Sequence, residues 1–273
     1  MIKNYFLEES VISGTQFHGN ASNNKKDVLK IQCWLNLFAQ QFPGSGTSTG
    51  IDGYFGPATK VAVINFQKAK KLPQTGKVTS SVFQELSVKI KNAFTTIPKG
   101  NNLRELIVNT AEIHLLNHPF ELVVKQQSNS GPWVRAYMDG FEGDPWFWCM
   151  GFVQSIIDQA ATIVGKDFRS LMPLTYSCDA VGTIGLQKGI LLRCNEVRKN
   201  PSAVKPGDIF LVQKSHSDWF HTGLVTNING DVFETIEGNT NNDGSHNGNG
   251  VYKRQRNYMK SKLDILSIET LVK

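Results

Sequence analysis

The sequence lacks any apolar run near the roughly 18 residues that a transmembrane helix needs, so stable membrane insertion is not expected. Its opening, Met1 to Ser10, has no long apolar core and carries Glu8 and Glu9. That is not the pattern of a secretory signal peptide. Cysteine is scarce: Cys33, Cys149, Cys178 and Cys194. None forms a Cys-x-x-Cys pair or a Cys/His cluster with zinc spacing, so neither a metal site nor a disulfide scaffold is expected. Cys178 and Cys194 read as packing thiols, though their pairing is not forbidden. Arginine is absent from residues 1–98. This argues against nucleic acid as a partner, because Arg supplies the bidentate contacts to phosphates and bases.

What is present bounds the answer further. At 273 residues the chain is long enough for two domains, at about 100–200 residues each. A 40% hydrophobic share with 16 Phe and five Trp excludes global disorder. The net charge of +6 lies wholly in residues 1–98, with 11 Lys against five acids. The rest balances at 18 of each sign. A Lys-rich surface suits an anionic polymer such as a cell wall.

Three helical patterns fill the first 95 residues. Val28, Ile31, Leu35 and Phe38 recur at helical spacing after the polar run 21–24, which can supply a cap. Asp52-Gly53-Tyr54-Phe55-Gly56-Pro57 is a turn entering a second helix, with Pro57 suited to its first turn. Thr79 reads as the cap of a third, carrying Val82, Phe83 and Leu86. Val28-x-x-x-Gln32-x-x-Leu35, Asp52-Gly53-x-Phe55-Gly56-Pro57-x-Thr59, Ala62-Val63-x-x-Phe66-Gln67, Leu72 and Thr75-Gly76-x-Val78 resemble the three-helix peptidoglycan-binding domain. The resemblance covers about residues 25–90 and implies peptidoglycan as partner.

A polar linker, Thr95 to Asn102, separates residues 1–98 from a second unit, 99–273. There a helix is expected from Leu103 to about Leu116. Another begins at Cys149, with Phe152, Val153, Ile156, Ile157 and Ala160 on its buried face. Strands follow at Ile209–Val212, His221–Ile228, Val232–Glu237 and Val251–Arg256. The expected fold class is α+β: a small all-α domain, then a unit with an antiparallel sheet.

Cys149 stands at a helix start, where the dipole favours the thiolate. Taken alone, a Cys among Trp146, Phe147, Trp148 and Phe152 is as readily a core residue. His221 opens a strand, and Glu237 and Asn239 lie two apart on the next, sharing a face. Nucleophile on a helix, base on a strand and orienting group on the neighbouring strand make a workable Cys–His–Glu/Asn set. For that set to form, His221 must face the same side as Glu237. A strict two-residue turn at Asn229-Gly230 separates them, so a three-residue loop or a single bulge is expected.

Asn129-x-Gly131-Pro132-x-Val134-x-x-Tyr137, Trp148-Cys149-x-x-Phe152-Val153, Pro206-Gly207-Asp208, His221-Thr-Gly-Leu-Val225 and Thr235-Ile-Glu-Gly-Asn-Thr240 resemble the CHAP class of amidases and peptidases. That class has a papain-like fold and is related to the NlpC/P60 peptidases. The resemblance covers about residues 105–258. It implies Cys149 as nucleophile, His221 as base then acid, Glu237 as the group orienting the ring, Asn239 as an assistant, and the Cys149 N–H as part of an oxyanion hole. It implies no cofactor. Some members bind calcium beside an Asp two residues after the Cys. Here that position is Gly151, so no such metal site is expected.

The combined expectation is a peptidoglycan hydrolase cleaving an amide bond. Its rivals are a non-catalytic wall-binding protein with a decayed papain-like domain, and a Cys amidase or protease with a non-wall substrate. Action at the wall without a signal peptide implies phage-type release or delivery by a secretion machine. The latter brings a cognate immunity protein as a possible partner. Asp243 with His246 reads as a solvated loop pair rather than metal ligands. His18, His114, His118 and His216 carry no pattern. Trp133, Trp146, Trp148 and Trp219 read mostly as core, with one or two left to wall a cleft.

Overall fold

In a computed structural model, all residues are described except Gly244 and His246. His246, and with it any pairing to Asp243, therefore lies outside the described residues. The fold is α+β, with a helical N-terminal region and antiparallel sheets.

The N-terminal region comprises α1 (Phe6–Glu9), β1 (Gln16–Phe17), α2 (Lys25–Gln41), α3 (Pro57–Ala69), β2 (Lys77–Val78), α4 (Ser80–Leu86) and α5 (Val88–Thr95). The caps follow local chemistry. The Asn24 side chain accepts from the N–H groups of Lys26 and Asp27, Pro57 starts α3, and Thr79 accepts from Val82 N–H. Val28, Ile31, Leu35, Ala62, Val63, Phe66, Val78 and Phe83 form the core between these helices. Two buried glutamines hold its turns. Gln32 donates to Asp52 Oδ1 (2.8 Å) and Tyr54 O (3.0 Å) and accepts from Gly53 N–H (2.8 Å). Gln67 donates to Lys77 O (2.9 Å) and accepts from Gly76 N–H (2.9 Å). Both glycines have positive φ, 77° and 67°, where a Cβ is strained.

The second part runs α6 (Leu103–Leu116), β3 (Leu122–Val124), β4 (Gln127–Ser130), α7 (Pro132–Tyr137), α8 (Cys149–Ile163), α9 (Cys178–Gln187), β5 (Leu191–Leu192), α10 (Cys194–Lys199), β6 (Ile209–Ser215), β7 (Asp218–Asn229), β8 (Val232–Thr240), β9 (Gly250–Asn257), β10 (Leu263–Leu266) and α11 (Glu269–Val272). Six antiparallel strands lie in the order β5-β10-β6-β7-β8-β9. Helix α8 packs on β7 and β8 and is flanked by α6 and α7.

Every residue of α8 from Cys149 to Ala161 is buried, as a helix at the centre of a domain must be. Its buried polar groups are all matched. Gln154 donates to Pro173 O (2.9 Å), Ser155 to Gly151 O (2.8 Å) and Gln159 to Ala93 O (3.1 Å). Asp158 accepts the backbone N–H groups of Ile2 and Lys3, both at 2.8 Å. The start of the chain is thereby fixed to the central helix of the second part.

One continuous core crosses the segment between α5 and α6. Phe6 stacks on Phe94 (4.6 Å between centroids), and Trp34 meets Trp133 edge-on (6.1 Å). Glu9 receives Arg135 through two 2.7 Å bonds, and Arg135 also reaches Glu142. The polar segment 95–102 therefore joins two parts that share this core. The buried His114 is a core histidine, bonded to Tyr137 Oη (2.9 Å) and Gln159 Oε1 (3.0 Å). Burial pulls it down to about 4, so it stays neutral.

Candidate active site

Cys149 is the first residue of α8 and is only 3% exposed. His221 on β7 and Glu237 on β8 are fully buried. His221 Nε2 meets Glu237 Oε2 at 2.9 Å. That leaves Nδ1 as the ring atom for Cys149. Nδ1 makes no well-aligned hydrogen bond, yet each of the two side chains shifts the other's titration, so they face one another at charge-interaction range.

The hairpin supplies the register this requires. Asn229 pairs with Val232 around a two-residue turn, Gly230-Asp231, with Gly230 at φ 55°. The turn sits one residue later than the Asn-Gly dipeptide suggests. A bulge then falls between Val225 and Asn227, leaving Thr226 unpaired, and Leu224 pairs with Ile236. The extra residue returns His221 and Glu237 to one face.

Glu237 accepts four hydrogen bonds: from His221, from Thr235 Oγ1 (2.6 Å), and from Arg256 through Nε (2.7 Å) and Nη2. The Arg256 guanidinium also lies over the Phe210 ring, 5.0 Å from its centroid. Burial works against ionisation of Glu237, but Arg256 and His221 hold its carboxyl down to about 2. Burial likewise opposes protonation of His221, but Cys149 and Glu237 push it up to about 9. The Cys178 thiol, 4.0 Å from Cys149 Sγ, holds Cys149 well below the ordinary thiol range against burial, helped by His221 and the Met150 N–H. The three directions agree: Cys149 is shifted toward thiolate, His221 toward imidazolium and Glu237 toward carboxylate, the charge pattern that an activated cysteine nucleophile uses.

Asn239 takes a different place. It has a left-handed backbone (φ 56°) and is buried. Oriented as its neighbours require, its amide donates to Gly248 O (2.7 Å) and accepts from Trp148 N–H (3.1 Å). It therefore fixes the residue before Cys149 rather than the His221 ring. Trp148 is further held by its indole N–H on Glu121 (2.9 Å) and by stacking on Tyr137. Trp133, Trp148 and Trp219 are core residues. Trp146 is partly exposed and stacks on Phe141 (4.4 Å). Asp208 is a brace, tying Arg104, Lys205 N–H and Ile268 N–H together.

Four residues of the site escape sequence reasoning. Arg256 and Thr235 lie within predicted strands, and alternation along β9 and β8 puts both on the Glu237 face. A buried carboxylate needs such a cation, which was the available signal. Gly223 is required by proximity, since a Cβ there would lie 2.8 Å from Glu237 Cγ. Cys178 carries no local signal at all. Cys178 and Cys194 are both free, and Cys194 approaches Gln213 and Asn195 instead. Among the described residues, no group of three or more His, Cys, Asp and Glu is arranged to hold a metal. No helix there is long and apolar enough to cross a membrane.

Residues 24–86 match the family described as "Putative peptidoglycan binding domain". That span covers α2, α3 and α4 with their glutamine-clamped turns. The chain thus carries an N-terminal peptidoglycan-binding domain, which associates it with the cell wall. No curated protein and no solved structure matches the chain.

Proposed function

We propose that this protein is a peptidoglycan hydrolase that cleaves an amide bond of the wall peptide with Cys149 as nucleophile. The observation that carries the reading is the Cys149–His221–Glu237 set in a chain that also bears a peptidoglycan-binding domain. A cysteine at the start of a central helix, packed on an antiparallel sheet that presents the histidine, fits a papain-like arrangement of the CHAP kind.

The Cys149 thiolate attacks the carbonyl carbon of the scissile amide. The oxyanion forms near the Cys149 N–H, at the positive end of α8. The His221 imidazolium gives its proton to the leaving amine, and the acyl group stays on Cys149 Sγ. Neutral His221 then takes a proton from water, whose oxygen attacks the thioester and regenerates the thiolate. Glu237 keeps the ring in place through Nε2 and stabilises its positive form, and Arg256 and Thr235 keep Glu237 ionised and aimed. Asn239 holds Trp148 and so the backbone leading to Cys149.

The test is digestion of purified sacculi with wild-type protein and with Cys149→Ala, followed by mass spectrometry of the released muropeptides. Fragments with a new amine terminus, released by wild type only, support the reading and name the bond. Binding without release favours a non-catalytic wall protein. Lysis by a folded Cys149→Ala protein overturns the mechanism.

A further inference from the structure

Cys178 lies outside the nucleophile–histidine–carboxylate set, yet its sulfur is 4.0 Å from Cys149 Sγ. Both cysteines open helices, Cys149 as the first residue of α8 and Cys178 as the first of α9. Both are nearly enclosed, at 3% and 7% exposure. Two independent clamps hold them together. From α8, the buried Gln154 donates to Pro173 O (2.9 Å) and accepts from Thr175 N–H (3.3 Å), fixing the segment that leads into α9. From β7, Trp219 N–H donates to Asp179 Oδ1 (2.5 Å), one residue after Cys178 and two residues from His221 along the strand. The rings of Trp146 and Tyr176, just ahead of the two cysteines, meet edge to face at 6.1 Å. Gly182, one turn into α9, sits against the Trp219 ring, where a Cβ would lie 2.5 Å away. The α9 start is thus braced against both elements that carry the proposed nucleophile and base.

We propose that Cys178 is a positioning residue of this site: its S–H donates to the Cys149 sulfur and so sets the reactivity of the nucleophile. The inference rests on the reading of Cys149 as nucleophile. A thiol next to a thiolate shares its proton with it, as in dithiol motifs where one sulfur is made more acidic by the other. The titrations of the two groups follow that division. Cys178 is pushed well above the ordinary thiol range by Cys149 and by burial, so it keeps its proton, while Cys149 is lowered. Cys178 then supplies the side-chain donor to the Cys149 sulfur, while His221 faces it as a charge, in a buried setting where an unmatched charge is costly.

The experiment uses the full chain and iodoacetamide as probe. The rate of Cys149 carbamidomethylation is followed against pH by peptide mass spectrometry for wild type, Cys178→Ala and Cys178→Ser. Wild type should show a plateau extending well below pH 8. Cys178→Ala should move the inflection to higher pH, with a drop in rate below it of about tenfold per pKa unit. Cys178→Ser, which keeps a donor, should restore most of the wild-type profile. If Cys178→Ala does not fold, Cys178→Val replaces it as a variant of similar size without a donor. A donor-free variant with the wild-type profile overturns the proposal, as does Cys178→Ser behaving like the donor-free form, or a wild-type Cys149 that titrates as an ordinary thiol. This readout does not depend on wall lysis. Failure of the hydrolase reading shows instead in the sacculus digest, where Cys149→Ala would retain activity.

Discussion

The pair that carries the site's electrostatics is Glu237 with Arg256, and its contribution can be measured. Arg256→Met keeps an aliphatic stem of similar length but removes the guanidinium that lies over Phe210, and with it two of the four hydrogen bonds to a fully buried carboxylate. Breaking one partner of a buried ion pair costs about 3–5 kcal/mol, because a charge is left uncompensated. An independent route gives a similar size. The Glu237 carboxyl is held down to about 2 against an ordinary value of 4.5, which corresponds to roughly 3 kcal/mol net, the donor set less the opposing effect of burial. The sign follows from the depressed folded value. This stability is present above pH 4.5 and is lost as pH falls toward 2. Arg256→Met should therefore also raise the midpoint of acid unfolding. The assay is urea denaturation at pH 7 for wild type, Arg256→Met, Glu237→Gln and the double variant. In the Glu237→Gln background no carboxylate remains to be stranded, so adding Arg256→Met should cost only about 1–2 kcal/mol of lost packing. The coupling energy should then reach about 2–3 kcal/mol. Additivity within about 0.5 kcal/mol would refute the reasoning, since it would mean the two groups do not act on one another.

Other outcomes follow from the same geometry. Cys149→Ala should keep the fold and abolish wall hydrolysis, and the same inactive full chain should still pellet with sacculi at low salt; absence from the pellet removes the binding role of residues 24–86. His221→Ala should be nearly as severe, whereas Glu237→Gln should be milder because an amide still holds the ring. Wall hydrolysis should fall at high pH as His221 loses its proton, near pH 9, and Glu237→Gln should bring that limb to lower pH, since the carboxylate raises the ring; an unmoved limb counts against the pairing. Gly223→Ala should cost about 1–3 kcal/mol and most of the activity, because its Cβ would press on Glu237 and Phe210, each at 2.8 Å. Gly14→Ala, with open space around the added methyl, is the matching control and should change neither thermal stability nor activity.

Much of this was legible where the signal is local. The caps Asn24 and Thr79, the Pro57 helix start and the α6 range of Leu103–Leu116 rest on residues within a turn of one another. The strands bearing His221 and Glu237 follow from alternation and a turn signal, and the need for those two to share a face called for a three-residue loop or a single bulge, of which the bulge is present. What the dipeptide could not place is the turn itself: Asn229 pairs with Val232 as the last rung, and the compensating bulge moved to Thr226. The rest depends on distance in sequence. Strand β10 lies between β5 and β6, pairing Leu266 with Leu191 on one side and with Ile209 on the other, far apart in sequence. Arg256 and Cys178 are ordinary residues until the sheet and α9 bring them to Glu237 and Cys149. Asn239 shares the Glu237 strand, but its left-handed backbone turns its amide toward Trp148.

The same distinction decides how the two parts of the chain relate. Composition marks Thr95–Asn102 as a linker, and a tether there would act by raising local concentration. Packing alters that reading. Lys3 is buried against Asp139, its backbone and that of Ile2 end on Asp158 in α8, and Arg135 is held between Glu9 and Glu142. Removing any of these leaves a buried charge or N–H unmatched, which opposes separation of the parts. The wall-binding helices and the helix that begins with Cys149 are therefore fixed in one frame. If the proposed hydrolase activity holds, a wall strand held by residues 24–86 would meet the Cys149 face at a set distance and angle. Selectivity of the proposed hydrolase for a bond would then arise from where the wall is held as well as from what surrounds the sulfur.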